Sequence, residues 1–299
     1  MKTVVVASGK GGTGKTTLSA VFAQLASQQM AVVVADGDVE ASNLPLALGV
    51  ADVSCTAFPG GARAVIDPQV CSACGLCAQA CRFEAIAEDA SGVYAVDRYA
   101  CEGCRRCVAV CPTAAVAMVP SRAGEACVGA SSVGPLVFGQ LGPGEDLSGR
   151  LVTEVRRLAS QAAERHQADV LVIDGPPGIG CPLIAAIAST DLVVAVAEPT
   201  VSGAHDLGRL ADVASRLGLP VCVVLNKADL SADGASRIRE LCASRSLPLI
   251  AEVPFDAALA DLSKVSATET RVLAAAVSPG LREAASAWRA VQRELGLLG

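Results

Sequence analysis

Short aliphatic runs alternate along the chain with segments in which apolar residues recur every three or four positions. The aliphatic runs predict buried parallel strands at residues 3–8, 31–35, 169–174, 191–197, 220–225 and 248–251. The other segments predict helices with one apolar face, at Leu18/Val21/Phe22/Leu25, Leu151/Val155/Leu158/Ala162, Leu207/Leu210/Ala214/Leu217 and Leu281/Ala284/Trp288/Val291/Leu295. This alternation predicts an α/β fold with a doubly wound, mostly parallel sheet.

Residues 60–119 interrupt the alternation. They contain an internal repeat in which CSACGLCAQAC is followed, thirty residues later, by CEGCRRCVAVC. We therefore predict a small inserted domain of α+β, ferredoxin-like type at 60–119, between two parts of the main domain at 1–59 and 120–299. Residues 120–150 are rich in Gly, Ser and Pro, and we expect them to lead the chain back across the surface of the main sheet.

The repeated cysteines have the C-x₂-C-x₂-C-x₃-C spacing of bacterial ferredoxins, in which the fourth cysteine of each run binds the other cluster. One predicted [4Fe–4S] cluster takes Cys71, Cys74, Cys77 and Cys111, and the second takes Cys101, Cys104, Cys107 and Cys81. Four soft thiolates per site suit iron–sulfur chemistry. Two Cys₄ zinc sites are the alternative, and the regular spacing argues against them. The first run departs from the pattern because Arg82, not proline, follows it.

A glycine-rich loop follows the first predicted strand and precedes the first predicted helix. It reads Gly9-Lys10-Gly11-Gly12-Thr13-Gly14-Lys15-Thr16 and fits G-x-x-x-x-G-K-[ST]. Small residues let backbone N–H groups surround a polyphosphate, and the helix N-terminus adds positive potential. Lys15 is expected to reach the β- and γ-phosphates, and the Thr16 hydroxyl is expected to bind Mg²⁺.

A second lysine, Lys10, makes the segment through Thr17 resemble the deviant Walker A motif of the MinD/ParA/Mrp superfamily, which includes the nitrogenase iron protein. The resemblance implies that Lys10 contacts the phosphates of the nucleotide in a partner subunit. It therefore implies a homodimer with ATP at the interface. A solvated loop lysine is the alternative.

Two aspartate segments extend the resemblance. Asp36-Gly37-Asp38 matches the first switch, which implies that Asp38 polarises the attacking water and Asp36 supports the magnesium shell. Asp174-Gly-Pro-Pro-Gly178 matches Walker B and the second switch. It implies that Asp174 orients a magnesium-bound water and that the Gly178 N–H senses the γ-phosphate. Aspartates that cap turns are the alternative.

Further segments follow in family order. Asn226-Lys227-Ala-Asp229 resembles the adenine-side segment, which implies that Asn226 reads the base edge and the Lys227 stem packs on its face. Pro254 belongs to a second base-side loop. The whole chain thus resembles the superfamily's P-loop ATPases with an inserted ferredoxin domain, which implies ATP/ADP, Mg²⁺ and two [4Fe–4S] clusters as cofactors.

The remaining cysteines and histidines carry weaker expectations. Cys181 lies seven residues after Asp174, where the nitrogenase iron protein has a cluster ligand, so Cys127 and Cys181 are candidates for an intersubunit cluster. Small buried cysteines are the favoured interpretation of both. We expect Cys55, Cys222 and Cys242 to be packing residues, His166 to be solvated and His205 to cap or hydrogen-bond a switch.

Charge and hydropathy limit the partners and the location that we expect for the protein. The net charge of −6 and the lack of Lys/Arg runs disfavour nucleic acid as a partner. No apolar stretch reaches membrane-spanning length, and the N-terminus lacks a cleavable signal pattern, so we expect a cytoplasmic protein.

The predicted function is slow ATP hydrolysis that couples nucleotide state to electron transfer or cluster delivery to a redox or iron–sulfur acceptor protein. A MinD/ParA-type spatial regulator or scaffold and an amidation ligase of the cobyrinic-acid type are the alternatives.

Overall fold

The computed structural model describes residues 1–90, 92–262 and 278–297. Its strands are β1 (Lys2–Ser8), β2 (Val32–Asp36), β3 (Ala51–Ile66), β4 (Ile86–Glu88), β5 (Tyr94–Val96), β6 (Val116–Ser131), β7 (Gly134–Leu141), β8 (Val170–Pro177), β9 (Leu192–Ala197), β10 (Val221–Asn226) and β11 (Leu249–Val253). Its helices are α1 (Lys15–Ser27), α2 (Leu44–Leu48), α3 (Leu76–Ala80), α4 (Arg106–Val110), α5 (Ser148–Arg165), α6 (Cys181–Ile187), α7 (Val201–Arg216), α8 (Ala232–Ser244), α9 (Ala257–Leu262) and α10 (Pro279–Glu294).

Nine strands form one sheet in the order β11-β10-β9-β1-β8-β2-β7-β6-β3. The pairs from β11 across to β7 are parallel, with β1 between β8 and β9. All six strands predicted from aliphatic runs lie in this parallel part. The carboxyl ends of its strands therefore meet along one edge, which is the edge where ligands bind in open α/β sheets.

Helices cover both faces of the sheet. Val4 and Val6 of β1 belong to a buried cluster that includes α1 and α10. Alternate residues of a strand face opposite sides, so Val5 points to the other face, and α5 and α7 pack on β2 and β9. Both faces of the central strands are thus buried, which explains why their sequences are continuous aliphatic runs.

Residues 120–150 do not cross the surface of the sheet as predicted. They contain the end of β6 and the whole of β7, and β7 pairs in parallel with β2, where Leu136 lies opposite Val34. Leu136 and Val137 are fully buried. The aliphatic run of β7 is short and is flanked by glycine and proline, so the sequence pattern did not predict a strand there.

The chain divides into two compact units, residues 1–56 with 126–140 and 148–299, and residues 57–125 with 141–147. The second unit contains α3, α4 and the antiparallel pair β4–β5, in which Ile86 lies opposite Val96. Its small core is formed by Ala64, Cys77, Ile86, Cys107 and Val116. An ion pair of 2.6 Å between Arg63 and Glu145 ties residues 141–147 to this unit.

The C-terminal apolar helix predicted from the sequence is α10, which packs on α1 and β11. The rings of Trp288 and Phe22 lie 5.5 Å apart between centroids. Residues 263–277 lie outside the described part of the chain, and within that part no helix combines the length and apolarity needed to cross a bilayer.

We expect Phe22→Ala to lower the free energy of unfolding by about 3–5 kcal/mol, because Phe22 is 0% exposed and its removal leaves a cavity against Trp288. Phe255→Ala is the matched control: this phenylalanine is 55% exposed, so the change should stay within about 0.5 kcal/mol. Urea unfolding followed by the fluorescence of Trp288, the single tryptophan, measures both. Equal effects would contradict the packing described here.

Candidate functional site

The phosphate-binding loop connects β1 to α1. Gly12 and Gly14 have φ angles of 79° and 86°, a conformation that side chains disfavour. A Cβ atom at Gly14 would lie 2.2 Å from Nδ2 of Asn226, so glycine is also required there by close approach. Helix α1 begins at Lys15, which directs the helix N-terminus toward the loop.

Lys15 and Asp174 form the buried centre of the site. The Lys15 ammonium lies 3.7 Å from Oδ1 of Asp174, and both side chains are buried. The Ser19 hydroxyl donates a hydrogen bond of 2.8 Å to the same oxygen. The other carboxylate oxygen, Oδ2 of Asp174, and Oγ1 of Thr13 are buried without a hydrogen-bond partner. A buried polar atom without a partner is costly, so the site is suited to a ligand that supplies partners.

Asp36 lies beside Asp174, because β2 and β8 pair these residues in register. It accepts hydrogen bonds from the Ser42 hydroxyl and from the backbone N–H groups of Asp38 and Leu44. Burial and then repulsion by Asp174 raise the pKa of Asp36 to about 7. Two adjacent buried carboxylates form an arrangement that a divalent cation stabilises.

Asp38 lies at the mouth of the same site. Burial raises the pKa of its carboxyl group, and the nearby charge of Lys15 partly offsets this effect. The structure therefore brings Asp36, Asp38 and Asp174 together around Lys15. Thr16 and Thr17 lie in the first turn of α1, and Gly178 follows β8 with a φ angle of 88°.

Glu198 joins two lysines across the site. It follows β9, and its carboxylate lies 3.2 Å from the ammonium of Lys10 and 2.5 Å from that of Lys227. Lys227 also donates a bond of 2.8 Å to the carbonyl of Gly12. Partial burial acts to raise the pKa of Glu198, but the hydrogen bonds from Lys227 and Lys10 hold it below its usual value.

Asn226 supports the phosphate loop in this structure. Its Nδ2 donates a hydrogen bond of 2.7 Å to the carbonyl of Thr13. The proposed contacts of Asn226, Lys227 and Pro254 with adenine stay predictions. Asp229 accepts a bond of 2.6 Å from the backbone of Phe255, which connects the two segments predicted to lie on the base side.

Sequence reasoning missed Glu198, Ser19 and Ser42 as site residues. Glu198 could have been found, since an acidic residue at the carboxyl end of a parallel strand faces the ligand edge. The two serines carry no sequence signal of their own, because only the fold brings them to Asp174 and Asp36. Both histidines are exposed, and His205 lies beside Asp206.

The two cysteine runs of the second unit adopt matching conformations. Helices α3 and α4 each follow a residue with positive φ, Gly75 or Arg105. The buried thiols of Cys77 and Cys107 lie in these helices, and Cys81 and Cys111 end them. Because α3 and α4 pack against each other, the internal repeat folds as two similar halves.

One cavity in this unit is lined by four cysteines from the two runs. Cys81, Cys101, Cys104 and Cys107, with neighbouring residues such as Phe83 and Ile86, line a small cavity of about 20 Å³ that is partly open to solvent. Among the described residues, no three of the eight repeated thiols have sulfur atoms within 4.8 Å of one another.

The scattered cysteines differ from the expectation. Cys55 and Cys127 form a disulfide, so Cys127 is not available as a ligand of an intersubunit cluster in this structure. Cys55 is exposed and is not a packing residue. Cys181 is an exposed free thiol, whereas Cys222 and Cys242 are buried.

Comparison with known proteins assigns the main unit to a family. The model of the CobQ/CobB/MinD/ParA nucleotide binding domain matches residues 4–267. The uncharacterized protein MJ0578 of Methanocaldococcus jannaschii is 32% identical over 224 residues, which are 75% of this chain and 77% of that protein. A ferredoxin of Pyrobaculum islandicum is 39% identical over 64 residues, which are 21% of this chain and 56% of the ferredoxin.

Solved structures share the fold. The septum site-determining protein MinD of Pyrococcus horikoshii, in complex with Mg-ADP, has a TM-score of 0.59 at 19% identity and covers 99% of this chain and 98% of its own. McdA of Cyanothece, in complex with ATP, has a TM-score of 0.57 at 17% identity and covers 100% and 98%. The chain belongs to the CobQ/CobB/MinD/ParA family. Within that family its phosphate-binding loop makes it a P-loop ATPase.

We expect Glu198→Gln to lower the free energy of unfolding by about 1 kcal/mol at neutral pH, because it removes the charge that anchors two lysines. Since the folded-state pKa of Glu198 is held low, the ionic contribution is present above the unfolded pKa and is lost as pH falls through the folded pKa. The difference between wild type and variant should therefore shrink in acid.

Urea unfolding at neutral and acidic pH measures this difference. Glu40→Gln is the matched control, because Glu40 is exposed and should contribute within about 0.5 kcal/mol. A difference that stays constant with pH would show that the Glu198 charge does not stabilise the fold.

Proposed function

We propose that the chain is a homodimeric ATPase that holds two [4Fe–4S] clusters and couples its nucleotide state to electron transfer or to cluster delivery to an acceptor protein. The proposal combines the phosphate-binding site of the main unit with the cysteine array of the second unit. The family assignment supports the first part, and the ferredoxin likeness supports the second.

The residues around the phosphate loop have three proposed roles in ATP hydrolysis: to bind the phosphates, to hold Mg²⁺ and to activate water. Lys15 and the loop N–H groups bind the phosphates, and the Thr16 hydroxyl with Asp174 and Asp36 holds the magnesium shell. Asp38 polarises the attacking water. Mg²⁺ supplies charge neutralisation to the phosphates when bound. The unpartnered oxygen of Asp174 and the raised pKa of Asp36 support this division, because a cation relieves both.

Lys10 is proposed to act on the nucleotide of the partner subunit. The deviant Walker A resemblance at residues 9–17 implies a homodimer with ATP at its interface. In the single chain the Lys10 ammonium is held by Glu198, within 3.4 Å also of the Ser202 hydroxyl. A lysine that is one-third exposed at the mouth of the site can exchange these partners for phosphate oxygens of a facing subunit.

The observation that carries the iron–sulfur part is the cavity lined by Cys81, Cys101, Cys104 and Cys107. These are the four residues that the crossed ferredoxin pattern assigns to one cluster. The pKa shifts of the thiols are mixed: burial raises the pKa of Cys77 and Cys107, whereas at Cys111 hydrogen bonds from Thr113 and nearby backbone groups outweigh burial and lower it. When bound, the clusters supply one-electron transfer.

We expect protein purified without oxygen to contain about eight iron and eight sulfide per chain, as two [4Fe–4S] clusters require. Cys104→Ser should lose about half of each, because Cys104 faces only one proposed cluster. Cys242→Ser is the control: Cys242 is buried in α8, outside the second unit, and its loss should not change the iron count. Zinc in place of iron, or full iron content in Cys104→Ser, would refute the cluster assignment.

Two readouts on the same preparation separate the coupled functions. Clusters that stay bound and whose electron paramagnetic resonance signals shift with Mg-ATP favour electron transfer. Clusters that pass to an apo-acceptor favour delivery.

The second candidate function is a spatial regulator or scaffold, which the family match favours, and ATP-dependent pelleting with DNA or liposomes would support it.

We expect Lys10→Ala to bind ATP, because Lys15 and the loop remain, but to lose ATP-dependent dimerisation and to slow hydrolysis by on the order of tenfold or more. Light scattering with size-exclusion chromatography and phosphate release measure these effects. Lys2→Ala is the control, since the Lys2 side chain is 45% exposed and pairs with Asp191 at the opposite end of β1. Dimerisation of Lys10→Ala at the wild-type level would contradict the intersubunit role.

A further inference from the structure

Two of the thirteen cysteines are joined to each other while the other eleven are free thiols. The pair is Cys55 and Cys127, which are 72 residues apart in sequence. Both lie in the main unit, outside the residues that form the cysteine array of the second unit. The proposed ATPase and iron–sulfur functions use neither residue, so the disulfide is separate from both proposed sites.

The pairing of β3 with β6 places the two cysteines opposite each other. A Cβ atom at Gly129 would lie 2.5 Å from the side chain of Val50 and 3.1 Å from that of Val53, both of which precede Cys55. Gly129 follows Cys127 by two residues, and Val53 precedes Cys55 by two. Two steps forward on one strand therefore correspond to two steps back on the other, which is the register of an antiparallel pair. The disulfide thus joins directly opposed residues.

The two sulfur-bearing residues differ in accessibility. Strand β3 is at the edge of the sheet, and all seven of its residues from Ala51 to Ala57 are exposed, including Cys55. Cys127 is 1% exposed and belongs to the apolar core. A thiolate in solution can therefore approach the disulfide only at the Cys55 side. Exposed disulfides are more easily reduced than buried structural ones and are the regulatory or catalytic type.

We infer that the Cys55–Cys127 disulfide is a redox-active site that exchanges with thiol- or dithiol-bearing partners. A partner thiolate attacks Sγ of Cys55, the bond between the two cysteines breaks, and Cys127 leaves with the electron pair and takes up a proton. A second partner thiol then attacks the mixed disulfide and releases Cys55. The balance is two partner thiols oxidised to one disulfide and one protein disulfide reduced to two thiols.

Glutathione redox buffers test the reversibility. Trypsin releases Cys55 and Cys127 in separate peptides, 16–63 and 123–150, each with a single cysteine. After acid quenching and alkylation, mass spectrometry therefore counts the linked pair without interference from the cluster cysteines. We expect the linked pair to disappear in reduced glutathione and to return in oxidised glutathione.

Either of two results would overturn the inference. A pair that stays linked in excess reduced glutathione is a structural disulfide. Thiols that stay unlinked in oxidised glutathione form no disulfide couple. Both results are independent of the iron content, so they do not bear on the proposed clusters.

Single variants test which sulfur reacts. Cys127→Ser leaves an exposed thiol at Cys55, and we expect it to form a mixed disulfide with oxidised glutathione on peptide 16–63. Cys55→Ser leaves the buried Cys127, and we expect at least a tenfold slower reaction on peptide 123–150. Equal rates in native protein, with folding verified by circular dichroism, would contradict attack at the exposed sulfur.

Discussion

Two carboxylates side by side in a buried position are the constraint on which the site depends. Asp36 and Asp174 lie opposite each other on neighbouring parallel strands, and isolated buried charges cost several kcal/mol each. The chain compensates them in part, with Lys15 and Ser19 on Asp174 and with Ser42 and backbone N–H groups on Asp36. The pKa of about 7 for Asp36 shows that the compensation is incomplete. A divalent cation between the two carboxylates would complete the compensation, because it removes their remaining repulsion.

The fold supplies this site with residues from the ends of its strands. The aliphatic runs of the central strands are each followed toward the carboxyl edge by a polar residue that lies in the strand or directly after it: Ser8, Asp36, Asp174, Glu198 and Asn226. Parallel pairing aligns these ends at one edge. The polar row therefore needs no special local structure. It follows from ending each aliphatic run toward the carboxyl edge of the sheet, with Asp36 and Asp174 level with each other and Glu198 four residues beyond Val194, which is level with them through Val6. The glycine loop then places Lys10 and Lys15 beside these residues.

Much of this could be predicted because the strongest signals are local. Aliphatic runs located the six parallel strands, and the spacing of glycines and lysines located the phosphate loop. Residues that act through tertiary contacts carried no such signal. The hydrogen bond from the Asn226 amide to the carbonyl of Thr13 is such a contact, and the contact of Asn226 with a base stays a prediction. Glu198 was not predicted as a site residue, although it holds both lysines of the site.

The predicted path of residues 120–150 and the predicted role of Cys55 as a packing residue were wrong for the same reason: the sequence did not reveal the β6–β7 hairpin. Two residues separate these hydrogen-bonded neighbours, a connection that only antiparallel strands allow. Glycine and proline in the segment lowered its apolar signal, so it was predicted to cross the surface. Without β6 in the sheet, nothing in the sequence could place Cys127 opposite Cys55. The Cα atoms of Cys55 and Cys127 lie 4.1 Å apart, close to the shorter of the two spacings of directly opposed residues in antiparallel strands, about 4.5 Å.

The repeated cysteines instead lie in loops and short helices, where an x₂ spacing spreads the thiols around a cavity. Backbone geometry therefore places cysteines of one chain in two settings: paired across neighbouring strands, or spread around a cavity. The spacing of the repeated cysteines can be recognised in the sequence, whereas the Cys55–Cys127 pair is revealed only by the register of β3 and β6.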